Sequence, residues 1–206
     1  MRCRIRWLAV AAGAWLACHS AWAAPHTIVF FGDSLTAGFG LDPAQAYPAL
    51  IQARVREAGL DYEVVNAGIS GDTTSGGVAR LDWVLRRPVD VFVLALGAND
   101  GLRGISPAET RRNLETILAR VHARYPQAKL MVAGMQLPPN MGSAYTDEFR
   151  AVFPEVARAA GASLVPFLLE GVAARPELNQ PDMIHPTPAG QQIVADNVWG
   201  VLKPLL

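Results

Sequence analysis

Thr27-Ile28-Val29-Phe30-Phe31-Gly32-Asp33-Ser34-Leu35-Thr36-Ala37-Gly38 sets a run of β-branched and aromatic residues directly against a Gly-Asp-Ser turn. Such a run reads as a buried strand, which leaves the serine exposed at the strand's C-terminal end, where an open α/β sheet carries its chemistry. The same residues also suit a helix cap, because Asp33, Ser34 and Thr36 all have the side-chain oxygens that accept from free helix N–H groups. Taken alone the stretch favours the cap over a nucleophile. The rest of the chain has to supply a base, a carboxylate and oxyanion donors before Ser34 reads as reactive.

Working outward, the strand-turn-helix pattern recurs. Pro43 to Gly59 predicts a helix with Pro48 in its first turn and a glycine stop. Asp61 to Asn66 reads as a short second strand, and the loop Ala67 to Thr74 caps a helix reaching about Arg87. Val89 to Leu96 is apolar at nearly every position and predicts a strand buried on both faces. Ser106-Pro107-Ala108-Glu109 opens a helix to about Arg124, and Lys129 to Gly134 makes a fourth strand. A helix from about Tyr145 to Ala160 follows, which Pro154 is expected to bend or split. Ala162 to Phe167 is the fifth strand and Thr187 to Leu202 the last helix. Five such alternations argue an α/β fold, a parallel sheet covered on both faces. Right-handed crossovers then gather the loops at Ser34, Gly71, Asn99, Pro138 and His185 on one rim.

With 206 residues, 51% hydrophobic and 17% charged, the chain fills one core rather than two. Arg2, Arg4 and Arg6 precede the apolar run Trp7 to Cys18, and Ala21-Trp22-Ala23 offers a signal-peptidase site, so residues 1–23 read as a cleavable signal and 24–206 as a single domain. The apolar run is shorter than the about 20 residues a membrane span needs. Leu16-Ala17-Cys18 leaves a lipoprotein signal as the alternative. The product is expected in the periplasm or outside the cell, as a monomer without an integral membrane segment. It keeps 15 basic and 18 acidic side chains, a net charge of −3, which is not a nucleic-acid-binding balance. Both cysteines, Cys3 and Cys18, fall in the signal, which excludes cysteine catalysis and cysteine-bound metal.

Acyl transfer by serine needs a base within reach of the hydroxyl and a carboxylate to orient that base. Of the four histidines, His19 lies in the signal, His26 near the new terminus and His122 inside a helix pattern beside arginines. Only His185 belongs to the rim. Asp182 precedes it by three residues in a proline-flanked turn, a spacing that lets the carboxylate accept from Nδ1 while Nε2 faces Ser34. Asn99 follows the most buried strand between Gly97 and Gly101, and its amide can donate to a developing oxyanion. Gly71 can present a bare N–H. With the N–H of Ser34 these make three candidate oxyanion donors. Each residue has an ordinary reading as a turn former or hinge; together they do not. Asp33 then reads as part of the turn that supports Ser34. Leu102, Ile105, Pro138, Pro139, Met141 and Tyr145, on neighbouring loops, are candidates to line an acyl groove.

The four blocks Gly32-Asp33-Ser34-Leu35, Ser70-Gly71-Asp72-Thr73, Gly97-Ala98-Asn99-Asp100 and Asp182-Met183-Ile184-His185-Pro186 resemble those of the GDSL or SGNH hydrolases, from about Thr27 to the end of the chain. Similarity extends to the exported bacterial branch of acyl-CoA thioesterases, lysophospholipases and arylesterases. The departures are Ala98, where glycine is common, and Met183 before Ile-His-Pro. The resemblance implies a flavodoxin-like α/β/α sandwich with strand order 2-1-3-4-5. It also implies a serine hydrolase of small acyl esters and thioesters that needs no cofactor. There is no Gly-x-Ser-x-Gly elbow, which argues against an ordinary α/β-hydrolase. Two other readings stay open. Asp33, Asp72, Asn99, Asp100, Asp182 and His185 suggest a metal-dependent phosphoesterase, although paired-metal sites want more rim histidines. The first turn could instead cradle phosphate in a non-enzymatic flavin- or phosphate-binding module.

Overall fold

The computed structural model describes residues 24–206, so the expected signal peptide, with Cys3, Cys18 and His19, lies outside the described residues. Its elements are β1 (His26–Gly32), α1 (Ser34–Ala37), α2 (Tyr47–Glu57), β2 (Tyr62–Asn66), α3 (Thr74–Val84) and β3 (Val91–Ala95). They continue with α4 (Ala98–Leu102), α5 (Pro107–Arg124), β4 (Lys129–Ala133), α6 (Ser143–Ala159), β5 (Ser163–Val165) and α7 (Pro188–Leu202). All strand pairs are parallel, and the order is β2-β1-β3-β4-β5. That is the order the resemblance implies.

The chain steps from β1 outward to β2, then crosses back over β1 to β3 and proceeds in the other direction. With right-handed crossovers this reversal puts helices on opposite faces. α2 packs against α7 on one face, and α3, α5 and α6 pack side by side on the other. Between them every residue of β3 is buried, and β1 is buried from Thr27 to Gly32, as the continuous apolar runs require. Tyr47, Phe30, Phe31, Phe92, Phe149 and Phe153 fill the largest core volumes. Register pairs Gly32 with Ala95, so the turns after β1 and β3 start level with each other. This is the topological switch point, where the crevice of an open α/β sheet lies.

Local chemistry explains where the elements depart from expectation. The helix expected over 43–59 is two pieces. Asp42 and Gln45 form a capping box around a single 3-10 turn at Pro43–Gln45, Ala46 is extended, and α2 begins at Tyr47. Pro48 has no N–H to continue an earlier helix but suits a first turn. β5 is shorter than expected because Pro166 follows it and cannot donate to the ladder. Pro154 does not split α6, which runs unbroken through it. Arg150, whose carbonyl loses its partner, and Pro154 are both on the solvent side, so water can satisfy the carbonyl. Phe149, Val152, Phe153 and Val156 hold the opposite face in the core. The short helices α1 and α4, directly after β1 and β3, stand where the sequence suggested only turns.

Candidate active site

Ser34 is the first residue of α1, and the cap reading of its turn falls to its neighbour. Asp33 is the N-cap, its Oδ1 accepting the Leu35 N–H at 3.0 Å, while Ser34 follows with its side chain at the switch point. The hydroxyl of Ser34 donates to His185 Nε2 at 2.8 Å, across 151 residues of sequence. His185 Nδ1–H donates to Asp182 Oδ2 at 2.7 Å, which assigns the tautomer that leaves Nε2 as an acceptor. Asp182 Oδ1 accepts the N–H groups of Ile184 at 2.9 Å and His185 at 3.0 Å. Burial alone would raise the Asp182 pKa, but the backbone N–H and imidazole of His185, with the Ile184 N–H, outweigh it and hold the carboxyl at about 2. It stays ionised beside the imidazole at any ordinary pH.

The loop that carries His185 is tied to the loop after α1. Gln180 N–H donates to His185 O at 2.7 Å, and Gln180 Nε2 donates to Phe39 O at 2.7 Å and Pro186 O at 3.1 Å. Phe39, 49% exposed, lays its ring 4.6 Å from the imidazole, centroid to centroid. It covers one side of the imidazole. Phe39 carries no signal in the sequence beyond an aromatic residue near the Ser34 turn.

The three oxyanion candidates face the same crevice, and all of them line a cleft of about 190 Å³ with Ser34 and His185. Neither the Ser34 nor the Gly71 N–H meets an acceptor among the described residues. Gly71 has φ +79°, a left-handed conformation that glycine adopts without strain, and Arg103 Nη2 donates to its carbonyl at 2.9 Å. Asn99 is on α4, after Gly97 at φ +120°. One hydrogen of its amide goes to Asp72 O at 2.9 Å, which leaves the other for a ligand.

Arg80 holds this arrangement together. Its guanidinium lies 3.9 Å over the Phe31 ring and donates to Asp72 Oδ2 at 2.7 Å, Ala67 O at 2.9 Å and Gly32 O at 3.0 Å. One planar cation thereby links the strand before Ser34 to the Gly71 loop. Asp100, fully buried, accepts from the N–H and hydroxyl of Thr74 at the start of α3, and burial raises its pKa. Asp33 is also fully buried, and desolvation, with Asp72 and Asp100 nearby, pushes its pKa up to about 7. Its Oδ2 has no hydrogen-bond partner among the described residues. Of the carboxylates weighed as metal ligands, Asp72 is bonded to Arg80, Asp100 to Thr74 and Asp182 to His185, while Asp33 caps α1 through Oδ1 alone. Among the described residues no three His, Cys, Asp or Glu side chains gather into a metal-binding cluster.

A second, mostly apolar cavity of about 400 Å³ adjoins the cleft and shares Leu35, Ala98, Leu102 and Ile184 with it. Leu102, Pro138 and Pro139 line it, whereas Ile105, Met141 and Tyr145 lie outside its lining. Tyr145 points its hydroxyl at the backbone instead, donating to Gly101 O at 3.1 Å and Ile105 O at 2.8 Å, and so braces the loop after α4. Met135, Leu137, Phe167, Leu169 and Met183 complete much of the wall, and none of them is a groove candidate from the sequence. They come from two connections, β4 to α6 and β5 to α7, which the sheet brings together.

Residues 30–193 match the profile of the GDSL-like Lipase/Acylhydrolase family. Esterase TesA of Pseudomonas aeruginosa is 47% identical over 186 residues, covering 89% of this chain and 91% of the relative. The Escherichia coli K12 protein named Thioesterase 1/protease 1/lysophospholipase L1 is 39% identical over 185 residues, covering 89% and 86%. A crystal structure of TesA matches the fold with a TM-score of 0.84 at 45% identity, over 88% of this chain and 100% of that one.

Proposed function

The chain belongs to the GDSL-like lipase/acylhydrolase family and is an ester-cleaving enzyme, and on that premise we propose that it hydrolyses carboxylic esters and thioesters through Ser34, His185 and Asp182. The observation that carries the reading is the unbroken hydrogen-bond chain from Ser34 Oγ through His185 to Asp182, at 2.8 and 2.7 Å. Ser34 Oγ attacks the acyl carbonyl as its proton passes to His185 Nε2. The negative oxygen of the tetrahedral intermediate is held by the N–H groups of Ser34 and Gly71 and the free amide hydrogen of Asn99. Collapse expels the alcohol or thiol, which takes the proton from His185 and leaves the acyl group on Ser34. Water, giving its proton to His185, then attacks this ester, and the second collapse frees the acid and restores Ser34. Asp182 remains a carboxylate throughout, as its pKa of about 2 permits, and steadies the imidazolium.

The acyl chain would enter the cavity of about 400 Å³, whose wall is mostly apolar and begins at Leu35 and Ala98 beside the nucleophile. Acyl thioesters, lysophospholipids and aryl esters all present a carbonyl with such a chain or ring. Their common requirement is an open leaving-group side, and Ser34 lines a cleft together with Phe39, Ser70 and His185. Hydrolysis of nitrophenyl esters from acetate to decanoate and of acyl-CoA thioesters, with Ser34→Ala as control, tests the reading. Activity retained in a folded Ser34→Ala protein would remove Ser34 from the mechanism, and a flat chain-length profile would remove the cavity from substrate binding.

We further read residues 24–206 as one exported, monomeric domain released from a signal at 1–23. None of the described helices is long and apolar enough to cross a membrane. The mass of the protein recovered from the cell envelope fraction and its sedimentation coefficient check the cleavage site and the monomer.

A further inference from the structure

Among the described residues two that are not glycine hold a left-handed backbone, Ala174 and Met183, both at φ 61°. Both line the apolar cavity beside Ser34. A Cβ crowds the following carbonyl in this conformation, so a residue other than glycine, asparagine or aspartate keeps it only where the surroundings enforce it. Those surroundings are on hand at Met183. Its N–H donates to Gln180 O at 2.9 Å, the next two N–H groups donate to Asp182 Oδ1, and Gln180 N–H closes on His185 O at 2.7 Å. Every one of these is a backbone or neighbour contact that glycine at 183 would serve equally well, without strain. What methionine adds is its side chain, 44% exposed, on the cavity wall.

The position of that side chain is selective. Ile184 borders both the cavity and the cleft around Ser34, but Met183 borders the cavity alone. A group reaching it must extend past the reacting carbonyl. We propose that Met183 is a specificity-determining residue, whose flexible thioether chain covers the distal part of a substrate acyl chain and so favours medium-length over short acyl groups. Methionine suits this work, being unbranched, polarizable and able to follow chains of differing length. The backbone strain is retained for that contact. The proposal rests on the acyl-cavity reading given above.

The experiment compares kcat/KM for nitrophenyl octanoate and acetate in the full-length protein and in Met183→Ala, Met183→Gly and Met183→Leu, with thermal unfolding of each. Met183→Ala keeps the left-handed strain and removes the side chain; Met183→Gly removes both. The octanoate-to-acetate ratio should fall about tenfold in both, the scale of a lost apolar contact in a substrate pocket, and stay near the parent value in Met183→Leu. Met183→Gly should melt about 2 °C above Met183→Ala as the strain is relieved. Disturbance of the neighbouring Asp182 would lower both esters together and leave the ratio alone. A parent protein that does not discriminate octanoate from acetate overturns the acyl-cavity reading and this proposal with it. A parent that does discriminate, with the ratio kept in Met183→Ala, overturns the role of Met183 only.

Discussion

Arg80 Nη2 donates to the carbonyl of Gly32 at 3.0 Å, so a cation from the middle of α3 restrains the backbone two residues ahead of Ser34. The same guanidinium reaches Ala67 O and Asp72 Oδ2, on the loop that carries Gly71. The backbone before Ser34 and the loop of Gly71, the two halves of the proposed oxyanion site, are thus set by one rigid fork. Lysine has neither the planarity nor the number of donors to replace it. Arg80→Lys should destabilise the fold by about 2 kcal/mol, the scale of charged hydrogen bonds lost from a half-buried site. It should also lower kcat about tenfold, because small displacements of oxyanion donors weaken transition-state stabilisation. Denaturant unfolding and ester kinetics check this; a variant with parental kcat would show that Arg80 serves stability alone.

Asn99 offers one amide hydrogen to Asp72 O and has one left. Asn99→Ala should lose about 10² to 10³ in kcat with little change in KM, as expected for a donor used chiefly in the transition state. Steady-state kinetics on a nitrophenyl ester measures it. Parental turnover would take Asn99 out of the mechanism.

Gly97 turns the chain from β3 into α4 at φ +120°, and a Cβ there would stand 3.1 Å from the Phe153 ring. Gly97→Ala combines a backbone conformation closed to L-residues with that contact, and should cost roughly 2–3 kcal/mol. α4 must shift to relieve it, moving Asn99, so kcat should fall along with the melting temperature. Unfolding scans and kinetics on the same preparation show whether the two losses travel together.

Two carboxyls tilt the pH dependence of stability in opposite directions. Asp182 is lowered to about 2, so its contribution is present above the unfolded carboxyl pKa of about 3.9 and is lost as pH falls from there toward 2. Asp33 is raised to about 7, so between about pH 4 and 7 the unfolded chain has released a proton that the folded one still holds. Stability therefore declines through that window as pH rises, by up to roughly 4 kcal/mol for a shift of this size. Asp33→Asn keeps an oxygen for the Leu35 N–H but cannot ionise. Denaturant midpoints measured at pH 4.5 and 7.5 should differ less in Asp33→Asn than in the parent. An equal difference in both would mean that Asp33 does not titrate in this range.

The candidate site was legible in part because elimination works on a rim. His185 could be singled out as the candidate base since His26 and His122 fall elsewhere in the pattern, and the structure sets its Nε2 against Ser34. The apolar wall was legible only for Leu102, Pro138 and Pro139. Tyr145 looked like a substrate contact because an aromatic residue beside a proline loop carries no mark of where its hydroxyl points. Met183 was visible as a departure from its family's pattern, but the left-handed backbone beneath it was not.

By itself the sequence determined the alternation of strands and helices, the burial of β1 and β3, and the turns that end them at Ser34 and Asn99. These are local matters, decided within a few residues by periodicity, glycine and proline. Only the tertiary structure decided that Asp33 would be a buried acid, that Arg80 would join three segments, and that the wall of one cavity would come from loops far apart in the chain. Such properties depend on which groups lose water together and which partners are then within reach. A charged or apolar residue looks the same in sequence whether it faces solvent or closes a site.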